Sequence, residues 1–141
     1  MRQILLIGLI LLATVLPGFA QGFHRNVSVT KAEKIIQEHA GKGDLAILDV
    51  RTPGEFIKGY IRGARNLDYW GKGFADSVAK LDKSKIYLVY CTSGVRSRGA
   101  MKKMQQMDFT RIYNMRGGMF GWRAARLEIV TRDTEMVTRD T

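Results

Sequence analysis

The chain of 141 residues has few of the residue types that form disulfide frameworks or metal centres, with one cysteine and two histidines, and it has only two prolines. A lone cysteine has no disulfide partner within its own chain, so it is either an inert buried residue or a working thiol. Because no cluster of His and Cys has the spacing of a metal site, we expect neither a metal nor an organic cofactor.

Acidic side chains are also scarce, since 13 Asp and Glu stand against 23 Lys and Arg, for a formal net charge of +10. An excess of positive charge favours anionic partners, which include nucleic acids, anionic surfaces and small anions. The basic residues are spread along the chain rather than gathered in one run. This distribution favours a solvated basic surface over a nucleic-acid site.

The chain lacks an apolar run long enough to cross a bilayer, which takes about 20 residues. Its longest run, residues 4–16, follows Arg2 and is succeeded by the small residues Gly18 and Ala20. This layout predicts a cleaved secretory signal over residues 1–20 and no stable membrane anchor. Export also argues against nucleic acid as a partner.

After residue 20, short apolar runs alternate with amphipathic segments. The runs at 45–50 and 86–90 are unbroken, which is typical of strands covered on both faces in parallel sheets. The predicted strands are 27–29, 45–50, 64–67, 86–90 and 111–115, and the predicted helices are 30–39 with Thr30 as N-cap, 53–57, 74–81, 97–107 and 119–127. The alternation predicts an α/β fold with a largely parallel central sheet flanked by helices on both faces.

The single cysteine, Cys91, directly follows the unbroken run 86–90 and opens the stretch CTSGVRS at 91–97. In parallel sheets, ligands bind at the carboxyl ends of strands. We therefore expect the thiol to lie among backbone N–H groups, at the positive end of a helix dipole and beside the guanidinium of Arg96. Each of these favours a thiolate over a thiol, which predicts a nucleophile next to an anion cradle.

Four motifs in order together resemble the single-domain rhodanese family, over residues 27–126. They are LDVRTPGEF at 48–56, GYIRGARN at 59–66, CTSGVRS at 91–97, and GG at 117–118 followed by Trp122. With the predicted signal, the chain is most similar to the small periplasmic thiosulfate sulfurtransferases of the phage-shock type. The resemblance implies a rhodanese-like domain over 21–127 and a periplasmic location.

The resemblance also implies a reaction, in which the Cys91 thiolate takes the outer sulfur of thiosulfate, releases sulfite and carries a persulfide. Cyanide or a thiol acceptor then removes that sulfur, as in a thiosulfate:cyanide sulfurtransferase. The substrate-binding residues implied by the family are Thr92, Ser93, Gly94, Val95, Arg96 and Ser97.

Individual roles within that loop follow from the same resemblance. Backbone N–H groups of residues 92–97 would stabilise the anion. Arg96 would either pair with the anion or brace the loop through carbonyl groups, and Gly94 would adopt backbone angles that oppose a side chain. The hydroxyls of Ser93 and Ser97 would donate to the sulfur or cap the following helix.

Two positions depart from the family, with Tyr60 where histidine is usual and Arg62 where proline is frequent. The tyrosine bears on local packing more than on chemistry. We expect a structural polar network of Asp49, Arg51 and Glu55. We expect core packing, rather than a place in the pocket wall, for Tyr69, Trp70 and Trp122.

Three other functions compete with the enzyme. A persulfide carrier would hand sulfur to a partner protein without turnover, and a redox sensor would form mixed disulfides through Cys91. A phosphatase is disfavoured, because four residues separate Cys91 from Arg96 and the related phosphatases have one more.

Finally, the sequence VTRDT at 130–134 recurs at 137–141, and we expect residues 128–141 to form a flexible tail.

Overall fold

The computed structural model of the protein describes residues 21–134. The predicted signal and the second copy of the repeat lie outside these residues. The strands are β1 (Phe23–Val27), β2 (Leu45–Asp49), β3 (Ala64–Asn66), β4 (Ile86–Tyr90) and β5 (Arg111–Met115). The helices are α1 (Val29–Glu38), α2 (Pro53–Phe56), α3 (Phe74–Ala79), α4 (Val95–Gln106) and α5 (Gly118–Ala124).

The five strands form one sheet in the order β1-β5-β4-β2-β3, and every pairing is parallel. The α/β class with a parallel sheet is thereby confirmed. β4 is the middle strand, and its register pairs Asp49 with Tyr90 on one side and Asn114 with Val89 on the other. The carboxyl ends of β2 and β5 consequently lie on either side of the residue that follows β4, which is Cys91.

Every residue of β4 is hydrophobic because both faces of the strand are covered. Tyr87 and Val89 pack with α3 and α4, whereas Leu88 and Tyr90 pack with α1 and α5. All five residues of the strand are buried. Alternate side chains thus enter two separate cores, and the predicted helices on both faces are confirmed.

Three helix starts and the first strand differ from the prediction: α5 begins at Gly118 rather than at residue 119, and β1 spans Phe23–Val27 rather than residues 27–29. α1 is capped by Ser28, whose side chain accepts from the N–H of Lys31, so Thr30 is not the N-cap. Ser28 has the extended backbone of an N-cap, and β1 ends one residue before it, at Val27. α4 begins at Val95 rather than at residue 97, because Gly94 with φ of 101° occupies the N-cap position.

Tyr60 fills the position of the usual histidine by packing. Its ring is buried and stacks on Phe56 at a centroid distance of 4.0 Å. Its backbone forms an antiparallel bridge with Val130: the N–H of Tyr60 donates to the Val130 carbonyl at 3.0 Å, and the N–H of Val130 donates to the Tyr60 carbonyl at 2.9 Å. The large, flat side chain of Tyr60 covers the apolar side of α2, in agreement with the predicted effect of this residue on local packing.

The packed part of the chain extends past residue 127. The indole of Trp122 donates to the carbonyl of Glu128 at 2.8 Å, Arg62 forms an ion pair with Glu128 at 2.6 Å, and Val130 is buried. Residues 128–130, which we assigned to the tail, therefore pack against the domain. Within residues 21–134, no helix is long and apolar enough to cross a membrane.

Candidate active site

The Cys91 side chain lies at the carboxyl end of β4 and is 1% exposed. The backbone N–H of Gly94 donates to its Sγ at 3.1 Å, and the hydroxyl of Ser97 lies 3.5 Å from Sγ. Ser97 is buried inside the first turn of α4, so its side chain contacts sulfur and does not cap the helix. Sulfur therefore sits at the N-terminus of a twelve-residue helix, the positive end of its dipole.

Two opposing effects act on the thiol. Burial disfavours the charged form, but hydrogen bonds from the Ser97 side chain and from the backbone of Ser97, Gly94 and Ser93 favour it. The hydrogen bonds prevail, and the pKa of Cys91 lies below its ordinary value. A cysteine with this balance exists as thiolate to a greater degree than a free thiol, and the thiolate is the nucleophile.

The start of α5 holds the loop carbonyls away from the sulfur. The N–H of Met119 donates to the carbonyl of Cys91 at 2.8 Å, and the N–H of Phe120 donates to that of Thr92 at 3.0 Å. Gly118 has φ of 50°, and a Cβ added there would collide with the Cys91 carbonyl oxygen. With two carbonyls engaged on the outside, the loop turns N–H groups inward. The glycine pair at 117–118, predicted only as a turn, is thus a docking point.

Gly94 is required for a second close approach. Its φ of 101° is a left-handed angle, and an added Cβ would lie 3.3 Å from the backbone nitrogen of Gly117. A side chain at this position would be strained in backbone and crowded against α5. The predicted need for glycine therefore has two physical reasons, angle and space.

Arg96 braces the loop through a carboxylate and a hydroxyl. Its Nη1 and Nη2 donate to the two Glu55 oxygens at 2.8 Å each, and Nη2 also donates to Thr92 Oγ1 at 2.8 Å. Thr92 Oγ1 donates in turn to Glu55 at 2.7 Å. Of the two predicted roles of Arg96, these contacts match the brace, though its acceptors are not carbonyl groups.

Glu55 belongs to this brace and not to the predicted network with Asp49 and Arg51. α2 follows β2, and β2 lies next to β4 in the sheet, so α2 stands beside the loop. The guanidinium of Arg96 holds the pKa of Glu55 far below its ordinary value, with Thr92 and Thr52 adding hydrogen bonds. Glu55 is thus a site residue that the sequence alone did not identify as one.

Asp49 and Arg51 form a buried ion pair behind the site. Arg51 Nε lies 3.0 Å from both Asp49 carboxylate oxygens, and its Nη2 reaches Oδ2 and, at 2.8 Å, the carbonyl of Gly59. This arrangement ties the end of β2 to the segment before β3. The predicted structural role is confirmed for these two residues.

Of the three aromatic residues expected in the core, one lies elsewhere. Trp122 is buried with α1 and α5, and Tyr69 packs against the opposite core. Trp70 is 67% exposed, and the guanidinium carbon of Arg96 lies 4.5 Å from its ring centroid. Trp70 therefore flanks the loop from the β3 side, and core packing was the wrong prediction for it.

A cysteine sulfur that accepts hydrogen bonds from Gly94 and Ser97, at the carboxyl edge of a parallel α/β sheet, is the arrangement of proteins that bind anions and attack them through sulfur. The chain belongs to the Rhodanese-like domain family, which matches residues 32–125. Its relatives include small sulfurtransferases that it covers almost completely.

Two curated relatives and one solved structure illustrate the similarity. A sulfurtransferase of Allochromatium vinosum is 31% identical over 104 residues, 74% of this chain and 95% of that protein. The thiosulfate sulfurtransferase GlpE of Pseudoalteromonas translucida is 26% identical over 108 residues, 77% of this chain and 97% of that protein. A rhodanese-related protein of Thermoplasma volcanium is 25% identical with a TM-score of 0.65, over 75% of this chain and 97% of that one.

Proposed function

We propose that the protein transfers sulfane sulfur from thiosulfate to cyanide or a thiol through a persulfide on Cys91. The observation that carries the proposal is the hydrogen bonding of Cys91 Sγ by Gly94 and Ser97, which lowers the thiol pKa. The similarity to a thiosulfate sulfurtransferase of Pseudoalteromonas translucida over 97% of its length supports the choice of donor.

In the first step, the Cys91 thiolate attacks the outer sulfur of thiosulfate. A bond forms between Sγ and that sulfur, the sulfur–sulfur bond of thiosulfate breaks, and sulfite leaves with the electron pair. Negative charge is conserved, moving from Sγ to the outer sulfur of the persulfide. The inward N–H groups of the loop stabilise this charge without reorganising, as an oxyanion hole does.

In the second step, cyanide or a thiolate attacks the outer sulfur of the persulfide. The bond between Sγ and the outer sulfur breaks, and its electron pair returns to Sγ. The N–H of Gly94 and the hydroxyl of Ser97 stabilise the thiolate that leaves. The same hydrogen-bond donors therefore serve both steps of the covalent mechanism.

Arg96 contributes shape more than charge in this scheme. Its guanidinium is engaged by Glu55 and Thr92, so much of its charge is balanced within the loop. The remaining positive potential at the site comes from backbone N–H groups, from the dipole of α4 and from the part of the Arg96 charge that acts on Cys91. Such a cradle suits a small anion held close to sulfur.

The test is the intact mass of the purified protein before and after thiosulfate, beside Cys91→Ala. We expect a gain of about one sulfur atom on Cys91, removed by cyanide with thiocyanate formed over many cycles. The variant should neither gain mass nor form thiocyanate. A stable gain without repeated turnover would replace the enzyme by a persulfide carrier, and no gain on a reduced Cys91 would reject thiosulfate as donor.

We also propose export to the periplasm, from the layout of residues 1–20. N-terminal sequencing of the protein recovered from the periplasmic fraction should begin at Gln21. Recovery of the uncleaved chain in the cytoplasmic fraction would contradict this location.

A further inference from the structure

Residues 128–130 are held on the domain by four residues from two separate segments of the chain. We call these four the tail-docking surface: Gly59, Tyr60, Arg62 and Trp122. Glu128 contacts two of them, because its carbonyl accepts from the Trp122 indole at 2.8 Å and its carboxylate pairs with Arg62 at 2.6 Å. The proposed sulfur transfer uses none of these contacts, so the reaction does not explain them.

Ile129 and Val130 complete the contact with this surface. A Cβ added at Gly59 would lie 2.6 Å from Ile129 Cγ2, so the isoleucine packs directly on the glycine backbone. Val130 is 1% exposed, and both of its backbone polar groups bond to Tyr60. The tail-docking surface therefore recognises one acidic side chain, two apolar side chains and the backbone that carries them.

The same groups occur a second time, directly afterwards in the sequence. Residues 128–134 read EIVTRDT and residues 135–141 read EMVTRDT, so two seven-residue copies differ at one position. Glu135 takes the place of the glutamate, Met136 that of the isoleucine and Val137 that of the valine. An unbranched methionine adapts its shape to an irregular gap, so it can fill the space of isoleucine. The second copy therefore offers every group that the surface binds in the first.

The first copy can form a loop that brings the second copy to the same place. Residues 131–134 form a compact turn, in which the N–H of Thr131 donates to Thr134 Oγ1 at 2.8 Å. That hydroxyl donates in turn to the Thr131 carbonyl at 2.9 Å. A shift by one copy leaves seven residues to connect Leu127 with Glu135, which is an ordinary length for a surface loop.

We propose that residues 135–141 are a second occupant of the tail-docking surface, which replaces residues 128–134 by a shift of seven residues within one chain. The acidic and apolar contacts then pass to the corresponding residues of the second copy, and Val137 forms the backbone bridge with Tyr60. Exchange within one chain prevails over exchange between two molecules, because a short tether gives an effective concentration of roughly 1 mM.

The tail-docking surface adjoins the brace of the active-site loop. Tyr60 stacks on Phe56 of α2, and Glu55 of the same helix holds Arg96. Either copy would engage Tyr60 through the same backbone groups, so the exchange leaves α2 supported. Sulfur transfer should therefore persist while one copy can dock, and fall several-fold when neither can.

Aspartate at the two equivalent valines tests the exchange by thermal unfolding of the full chain. A buried carboxylate without a partner is costly, so each substitution prevents docking of the copy that carries it. Val130→Asp should lower Tm by only a few degrees, because the second copy replaces the first. Val130→Asp combined with Val137→Asp should lower Tm by roughly 10 °C. Val137→Asp alone is the matched control and should leave Tm unchanged.

Hydrogen exchange of the backbone amides, followed by NMR, identifies which copy is docked. In the wild type we expect a protected N–H at Val130, which donates to the Tyr60 carbonyl. In the Val130→Asp variant the protection should move to Val137. The Tm of this variant should not change on about hundredfold dilution, since the exchange takes place within one chain.

Three results would overturn the exchange. They are a Val130→Asp protein that melts as low as the double variant or does not fold, an unprotected Val137 amide in that variant, and a Tm that falls on dilution. Unfolding and hydrogen exchange are measured without thiosulfate, so they do not depend on the proposed reaction. Failure of persulfide formation on Cys91 would reject that reaction and leave the exchange intact.

Discussion

Replacing Gly118 by alanine tests whether the docking of α5 shapes the active-site loop. The new Cβ would meet the Cys91 carbonyl oxygen and, at 2.6 Å, the carbonyl carbon and oxygen of Thr92. All three are backbone atoms, so relief requires the loop or the helix to move. The hydrogen bonds from Met119 and Phe120 to these carbonyls would break together with that movement.

The magnitude follows from two contributions. Inserting a methyl group into a packed contact costs about 1–3 kcal/mol, and an alanine at a left-handed φ costs about 1–2 kcal/mol. We therefore expect the free energy of unfolding to fall by roughly 2–5 kcal/mol. For a domain near one hundred residues, where 1 kcal/mol shifts Tm by about 5 °C, this lowers Tm by roughly 10–25 °C.

Gly117→Ala is the matched control, because its φ of 82° carries the same backbone strain. The nearest atoms to its added Cβ lie at 3.7 and 3.8 Å, which is ordinary contact. We expect it to lose only about 1–2 kcal/mol and to keep its sulfur-transfer rate. Thermal unfolding and thiocyanate formation, measured on both variants, decide the question. If the Gly118→Ala protein has the same Tm and the same sulfur-transfer rate as the Gly117→Ala protein, the idea that this docking shapes the loop is refuted.

Three further changes follow from the contacts. Glu55→Gln should slow sulfur transfer several-fold and cost about 1 kcal/mol at neutral pH. The stabilisation by the ionised Glu55 carboxylate is fully present above its unfolded pKa of about 4.3 and is lost as pH falls towards its lower folded pKa. The acid unfolding curves of the wild type and the variant should therefore converge. Parallel curves would contradict this reasoning. Iodoacetamide should alkylate Cys91 maximally at a lower pH than free cysteine, because hydrogen bonds lower its pKa, and Ser97→Ala should move that profile to higher pH rather than leave it in place. Asp49→Ala should leave Arg51 buried without its carboxylate and cost about 3–5 kcal/mol in urea unfolding, and a loss below 1 kcal/mol would show that the pair is not buried in solution.

The sheet and its reactive edge were predictable from short-range patterns. Unbroken apolar runs such as 86–90 occur where both faces of a strand are covered, and a run of helix periodicity between two such strands favours a parallel crossover. Parallel strands place the residues that follow them at one edge. From these rules alone, Cys91 had to lie at the carboxyl edge of the sheet, next to the start of a helix.

Contacts between separate loops were not predictable in the same way. Glu55 meets Arg96 only because β2 lies next to β4, and no periodicity reports strand order. Trp70 is exposed and lies against Arg96, although its size favours burial. The N-cap at Ser28 lies two residues before Thr30, and both residue types form good caps. In each case a tertiary contact or a strand end decided between local alternatives of similar stability.

The reactivity of Cys91 is consequently a property of the tertiary structure rather than of the segment 91–97. A backbone loop has as many carbonyls as N–H groups, so it attracts an anion only if the carbonyls face away. Here two of them are engaged by N–H groups in the first turn of α5, from a part of the chain 28 residues later. The room for that contact exists because residue 118 has no side chain. Thiolate stabilisation at one position therefore depends on a glycine that never touches sulfur, and a peptide of the loop alone should have the thiol pKa of an ordinary cysteine.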